Sequence, residues 1–380
     1  MSYSKILITG ATGFIGSRLC EKFSLHYQVP YRALVRNFGK AARIARLGCE
    51  MVPGDLADRA GLMSALSGCD AVVHLAFDET SKGDKNLLAA CRQTNIKQFV
   101  HVSSMAVHGP NPDPRCAREQ TAVIGHYNES YSDSKARSEK LVHQAITEGL
   151  PATILRPTVV YGPYSPFVTR VLRDAHNGSI GLIDEGAGVC NAVYVDDVCD
   201  AVWAALHSDK ARGQALFVNA DRATSWRDFN LTFANMIAPA PRVINFAARD
   251  VRAHWEAQRP SVRSNIRSLK QLLASSDFHD QLGTVPALRS AITWTKVNLK
   301  KVLSPGQVTA LKGANDTAAG MLPSGSWPDR GRLVREDFHL EFSNELARSV
   351  LDWKPAYDFD KGAAMTRTWL EFAGMLESVN

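Results

Sequence analysis

The sequence predicts an α/β fold in which helices cover both faces of a parallel sheet, and two patterns carry that prediction. Over the first 160 residues, short β-rich runs alternate with amphipathic stretches of helical period. The β-rich runs are apolar from end to end, as in strands buried on both faces, rather than alternately apolar and polar. Strands are expected at residues 5–9, 31–35, 49–52, 71–75, 98–103 and 152–155, with helices at 14–26, 58–67, 84–94 and 131–148. Beyond Arg156-Pro157 the alternation weakens. Residues 192–206 read as a strand running into a helix, and 215–219 as another strand. From about 240 to 330, basic helical stretches give way to a Gly/Ser/Pro-rich piece at 312–327. The pattern resumes at Phe338 and closes in an amphipathic helix at 361–376.

A chain of 380 residues suits one large α/β domain with a second lobe, and 45% apolar against 22% charged residues is an ordinary globular balance. No run of about 18 apolar residues offers a membrane span. The start, Met1-Ser-Tyr-Ser-Lys, leads straight into an apolar strand rather than a secretion signal. The seven cysteines are scattered, with no Cys-x-x-Cys pair and no zinc-like Cys/His cluster. They read as small buried apolar groups in a reducing, cytoplasmic setting, and no metal site is expected. The whole net charge of +6 falls in 249–301, where ten Lys/Arg stand against four Asp/Glu. That stretch is expected as a solvated helical face, with peripheral contact to an anionic membrane surface as the alternative. Nucleic acid is not an expected partner.

The first strand ends in Gly10-Ala-Thr12-Gly13-Phe14-Ile15-Gly16, followed at once by a helical pattern. Gly10 permits a tight turn, Gly13 lets backbone approach a pyrophosphate, and Gly16 lets the helix pack close to the strand. The helix N-terminus then offers N–H groups and a positive dipole end to phosphates. A glycine triplet alone says little, but first strand, first turn, first helix is where dinucleotide binding needs it. The fold class is therefore a Rossmann-type doubly wound parallel sheet with a smaller α/β substrate lobe. The second strand ends at Arg36, where an NAD enzyme usually carries Asp or Glu for the ribose 2′-hydroxyl. A guanidinium there, or on Arg32 or Arg43, would pair with the 2′-phosphate of NADP. NADP is the expected cofactor, with NAD as the alternative.

Tyr131-Ser-Asp-Ser-Lys135 places a phenol and an ammonium four residues apart on a helix, hence on one face. A tyrosine ordinarily ionises near pH ~10, and a neighbouring ammonium is expected to lower that value. Tyr131 would then exchange a proton with an alcohol or carbonyl while hydride moves to or from nicotinamide. The fifth strand ends in Ser103-Ser104, at the carboxyl edge where doubly wound sheets bind ligands, and a serine there can hold the reacting oxygen.

Together these segments resemble the extended short-chain dehydrogenase/reductases, the NAD-dependent epimerase/dehydratase type. The matching pieces are Thr9 to Gly16, Gly54-Asp55-Leu56, His74-Leu75-Ala76, Phe99 to Ser104 and Tyr131 to Lys135. Further on come Leu155-Arg-Pro-Thr-Val-Val-Tyr-Gly-Pro163, Val195-Asp-Asp-Val198 and Leu351-Asp-Trp-Lys-Pro355, all in the family's order. The resemblance implies that Thr12, Phe14 and Ile15 join the glycines at the cofactor, that Asp55 and Leu56 line its adenine, and that Leu75 and Ala76 meet its middle. It implies that Ser103, Pro157, Val159 and Val160 approach the nicotinamide end, and that Lys135 also holds the nicotinamide ribose. Ser104, Tyr131 and Lys135 become the catalytic residues. Asp196 and Asp197 look like acid/base carboxylates, although in the family they are mainly structural. A homodimer is also implied.

Departures narrow the chemistry. Sugar 4,6-dehydratases carry Asp-Glu after the catalytic Thr, whereas Met105-Ala106 here cannot move a proton. Val159 replaces an Asn common among nucleotide-sugar enzymes, and His108 replaces a Tyr, as a packing group or a substrate contact. The loop 77–83 is short, with Asp78, Glu79 and Ser81 in reach of substrate; Asp78, Met105, His108, Val159 and Arg335 are the substrate candidates. The expected dinucleotide-binding domain covers 1–165, with 190–220 returning to it. Residues 166–189 and 221–380 form the substrate lobe, including an unusual basic insertion at about 249–330. Three functions stay open: oxidoreduction or epimerisation of a nucleotide sugar or related glycoside, NADPH-dependent reduction of a steroid-, flavonoid- or polyketide-like ketone, and a non-catalytic cofactor-binding scaffold.

Overall fold

The continuous apolar strands assemble as their composition demands. A computed structural model describes residues 3–258 and 327–376. Its strands β1 (Ile6–Thr9), β2 (Tyr31–Val35), β3 (Glu50–Pro53), β4 (Ala71–His74), β5 (Gln98–Val102) and β6 (Ala152–Pro157) join the later β11 (Ala215–Val218) in one sheet. The order is β11-β6-β5-β4-β1-β2-β3, every neighbouring pair parallel. Side chains alternate between two buried faces, which is why no strand shows an apolar/polar alternation. On one face Ile6, Ile8, Val35, Val73, Val100 and Val102 pack under α1 (Phe14–Lys22) and α7 (Val195–His207). On the other, Leu7, Leu34, Val72, Phe99 and Ile154 meet α3 (Arg59–Leu66), α4 (Lys82–Cys91) and α5 (Ser130–Thr147). A short α2 (Ala42–Ala45) follows β2. The expected first helix ends sooner as an α-helix, passing into a wider turn at Phe23–Tyr27 where Tyr27 stacks 4.2 Å from Trp203.

A second, smaller layer sits after β6. There β7 (Val159–Tyr161) pairs with β10 (Ala192–Tyr194), β8 (Ser179–Ile183) with β13 (Arg242–Phe246), and β9 (Val189–Cys190) with β12 (Thr224–Ser225). Helices α6 (Pro166–His176), α8 (Trp226–Ala234) and α12 (Phe359–Phe372) enclose Tyr161, Trp226, Phe229, Phe233 and Leu370. The remaining helices are α9 (Ala248–Ala257), α10 (Arg330–Glu336) and α11 (Glu345–Leu351). The basic segment 249–301 and the insertion 249–330 lie outside the described residues, save for 249–258 and 327–330. No described helix is long and apolar enough to cross a membrane.

One ion pair locks α5 against the sheet. Glu139 is fully buried, and its carboxylate takes Arg156 Nη2 at 2.5 Å and Ser103 Oγ at 2.6 Å. The pair is neutralised and multiply hydrogen-bonded, the condition under which buried charges are tolerated. The carboxyl remains ionised because Arg156, His143 and Ser103 overcome the burial that would raise it.

His108 is buried in the packing of the smaller layer and the sheet. It is 1% exposed, with its ring 5.4 Å from Phe217 and 6.2 Å from Phe342 and Nδ1 2.8 Å from the Val123 carbonyl. Burial pushes its imidazole down to about 4, so it stays neutral in the folded protein at pH 7.

Two stability predictions follow from these buried groups. Arg156→Met leaves the Glu139 carboxylate unpaired and costs about 3–5 kcal/mol in urea unfolding. The exposed Arg348–Asp221 pair supplies the control, Arg348→Met costing less than about 1 kcal/mol. For His108, the unfolded chain takes up a proton near pH ~6.5 that the folded chain refuses until about 4, so native stability falls as pH drops through that window. Urea midpoints of His108→Phe should show a shallower decline between those pH values than the parent.

Candidate active site

The turn after β1 is dictated by how close β4 comes. Thr9 Oγ1 lies 2.6 Å from His74 Nδ1 and accepts from the Ala76 N–H at 3.4 Å, tying the two strand ends together. Gly10 sits at φ +70°, and a Cβ there would lie 2.6 Å from Ala76 N. A Cβ on Gly16 would overlap the Gly10 carbonyl. Gly13 caps α1 with no side-chain cap, and the first turn of the helix holds no acidic residue. The first-turn N–H groups therefore face outward beside Thr12, Phe14 and Ile15, without a competing carboxylate. These residues fit a dinucleotide diphosphate.

Along the same edge, Asp55 accepts from Ala57 N at 2.9 Å, and Asn86 Nδ2 donates to the Leu56 carbonyl at 3.0 Å. Asn86 escaped the sequence reading because it reaches this loop only through the docking of α4. Of the three candidate cations for a 2′-phosphate, Arg32 is committed to Glu50 and to the Ala65 and Ser67 carbonyls. Arg43 holds Glu21 and lies 4.1 Å over Tyr164. Arg36 is exposed and makes no ion pair among the described residues.

The catalytic helix α5 begins at Glu129, whose carboxylate accepts from Ser132 N at 2.6 Å and Tyr131 N at 3.3 Å. Tyr131 stands in this first turn, 45% exposed, its ring 5.3 Å from Phe77. One turn deeper Lys135 is 7% exposed, its Nζ donating to the Val102 carbonyl at 3.2 Å and lying 5.6 Å from the Phe77 ring. Tyr131 and Lys135 lie one turn apart on α5, but the expected acidic phenol does not follow. Desolvation raises the Tyr131 phenol above its ordinary value, the adjacent Ser104 hydroxyl pulls it partly back, and Glu129 pushes it up again. Burial lowers Lys135 itself to about 8, against the attraction of Asp84 and Glu139.

The strand-end serines divide their work. Ser103 is buried and gives its hydroxyl to Glu139. Ser104 caps the short turn Met105–His108 and is the hydroxyl beside Tyr131. Met105 is half-buried beyond it. Pro157 ends β6, paired with Val218. Val159 and Val160 are 2% and 7% exposed; one packs into the lobe core, the other against the sheet, and neither side chain opens towards a ligand. Asp78 accepts from Gly83 N at 2.6 Å and from Thr80, closing its own loop. Arg335 lies 5.7 Å from the Phe167 ring, and its buried Nε has no partner among the described residues. Asp196 grips Arg18 at 2.6 and 2.7 Å, and Asp197 accepts from Ala356 and Tyr357 N–H, so both are structural. Phe77, which the sequence reading treated only as part of a short loop, covers the Tyr131–Lys135 pair.

Comparison with known proteins places the chain in a family. The model of the NAD dependent epimerase/dehydratase family matches residues 6–219. A 2-alkyl-3-oxoalkanoate reductase of Shewanella oneidensis is 29% identical over 243 residues, 57% of this chain and 62% of that protein. An N-acetyl-alpha-D-glucosaminyl-diphospho-ditrans,octacis-undecaprenol 4-epimerase of Escherichia coli O157:H7 is 26% identical over 211 residues, 52% of this chain and 61% of that one. The Thermus thermophilus UDP-glucose 4-epimerase in complex with NAD superposes with a TM-score of 0.55 at 25% identity, covering 64% of this chain and 86% of its own. With the family model spanning the cradle, the catalytic helix and the seventh strand, the chain belongs to the NAD-dependent epimerase/dehydratase family.

Proposed function

We propose that this protein reduces the ketone of a largely apolar substrate to a secondary alcohol, with NADPH as the hydride source. The observation that carries this reading is the setting of the Tyr131 and Ser104 hydroxyls. They stand side by side, flanked by Phe77 and Met105, with no proton-carrying side chain at 105 or 106. Such a wall favours an apolar ketone and supplies no second acid or base for elimination. The similarity to a 2-alkyl-3-oxoalkanoate reductase supports the same reading.

The nicotinamide, when bound, supplies the hydride. Gly10, Gly13 and the N-terminus of α1 would hold the cofactor's diphosphate, and Arg36 would pair with its 2′-phosphate. Ser104 Oγ donates a hydrogen bond to the ketone oxygen and orients it. Tyr131 Oη gives its proton to that oxygen as the carbonyl carbon is reduced, and a phenol with a raised pKa arrives at this step protonated. Lys135, charged below about pH 8, stabilises the phenolate left behind.

A second reading, epimerisation of a nucleotide sugar, rests on the arginines of the smaller layer. Arg335 Nε and Arg170 Nε and Nη1 are buried without hydrogen-bond partners among the described residues. Guanidinium donors of that kind suit a diphosphate. Stoichiometric NADPH consumption with a 2-alkyl-3-oxo ester favours the reductase. Interconversion of a UDP-sugar without net NADPH loss would replace it with the epimerase.

Tyr131→Phe should lower kcat by roughly 10²–10⁴-fold while leaving NADPH affinity near that of the parent, measured by fluorescence titration. An undiminished kcat would contradict the mechanism. Arg36→Asp should raise the Kd for NADPH by at least about tenfold and leave NADH binding unchanged or tighter. Equal weakening for both cofactors would contradict the assignment of Arg36.

A further inference from the structure

Beneath the catalytic helix lies a layer of polar side chains contributed by five elements. Thr9 from β1, His74 from β4, Asp84 from α4, His101 from β5 and Ser138 from α5 are each 6% exposed or less. His74 links two of them, with Nδ1 2.6 Å from Thr9 Oγ1 and Nε2 3.0 Å from Asp84 Oδ1. Its ring lies 5.3 Å from that of His101, whose Nε2 is 3.5 Å from Ser138 Oγ. Ser138 follows Lys135 by one turn of α5, and the Lys135 ammonium sits on the carbonyl of Val102, the residue after His101. Asp84 Oδ2 and His101 Nδ1 are buried in this layer without hydrogen-bond partners among the described residues.

A carboxylate this deep needs a compensating charge. Among the described residues Asp84 pairs with no lysine or arginine; its one ion-pair partner is His74. Burial alone would raise the Asp84 carboxyl, but the hydrogen bond and charge of His74 hold it below the usual range. His101 is pushed well below its ordinary value by burial and then by the charges of His74 and Lys135, so it stays neutral. Glu139 is already committed to Arg156 and Ser103. Asp84 is thus the carboxylate of this layer that acts, together with Glu139, on the Lys135 ammonium.

We propose that Asp84 is a positioning residue which, across the His74, His101 and Ser138 layer, keeps the Lys135 ammonium charged and seated under Tyr131. The charged and titratable groups packed in this region are Asp84 of α4, His74 and His101 of β4 and β5, and Glu139 of α5 with Arg156 of β6, while the ring of Phe77 lies 5.6 Å from the ammonium. Only Asp84 and Glu139 raise the affinity of Lys135 for its proton against burial. Removing the Asp84 charge lets Lys135 lose that proton at lower pH. The structural part of the inference stands without the reductase reading; its kinetic consequence rests on it.

The test follows the Cε resonance of Lys135 in full-length protein labelled with ¹³C-lysine, assigned by its loss in Lys135→Met. Asp84→Asn, which keeps an acceptor for His74, should lower the Lys135 midpoint by roughly one pH unit. Asp84→Thr removes the same charge with a smaller side chain if the amide variant does not fold, and Asp84→Glu should return the midpoint towards that of the parent. In parallel, the alkaline limb of kcat/KM for NADPH with a 3-oxo ester should move down by the same amount. A Lys135 midpoint that is unchanged or raised in both neutral variants would overturn the proposal, whatever happens to turnover. A lowered midpoint in a protein that turns over no ketone upholds the role of Asp84 and removes the reductase reading instead.

Discussion

Lys135 carries an ammonium into a site 7% exposed, between the end of β5 and the second turn of α5, and much of the surrounding architecture answers that placement. An isolated charge is too costly to bury alone. The chain meets the cost with the Val102 carbonyl, the face of Phe77, and two carboxylates one layer away. Glu139 in turn needs Arg156, which fixes α5 to β6 and sets the depth at which the helix docks. Tyr131 stays at the solvent edge because it sits one turn earlier on the same helix, where Glu129 caps the N-terminus.

The same charge explains why the chemistry belongs at this edge of the sheet. Hydroxyl, phenol and ammonium come from two elements only, the end of β5 and the start of α5, so their mutual geometry is fixed by a single helix-on-sheet contact. The cradle of Gly10 to Gly16 lies beyond β4, and Thr9 and His74 bind β1 to β4 there. The turn from Gly10 to Gly16 and helix α5 are thus connected through one buried polar layer rather than through flexible loops. That favours pre-organisation, which electrostatic catalysis requires.

What the sequence made legible was local. The glycine spacing, the four-residue separation of Tyr131 and Lys135, and strands apolar on both faces are all set within a few residues of chain, and the structure keeps them. The electrostatic state of the phenol was not legible. It depends on the burial of the phenol and on the Ser104 hydroxyl and Glu129 carboxylate that the fold brings near it, which no spacing rule contains. Asp84 reads in sequence as a first-turn helix acid, and only the approach of His74 makes it a buried carboxylate. Ser103 and Ser104 are adjacent and chemically identical, yet Glu139 takes one of them from another element. Val159, Val160 and His108 are buried in the packing and Asp78 closes its own loop, placements set by register and loop closure that sequence spacing does not contain.

The most direct test of this account is a crystal structure of the protein with NADP⁺ bound. The account predicts the diphosphate on the turn from Gly10 to Gly16. It places the nicotinamide ribose hydroxyls about 3 Å from Lys135 Nζ, with the nicotinamide facing the Ser104 and Tyr131 hydroxyls. A cofactor bound elsewhere, or one whose nicotinamide turns away from that pair while Lys135 remains on the Val102 carbonyl, would contradict it.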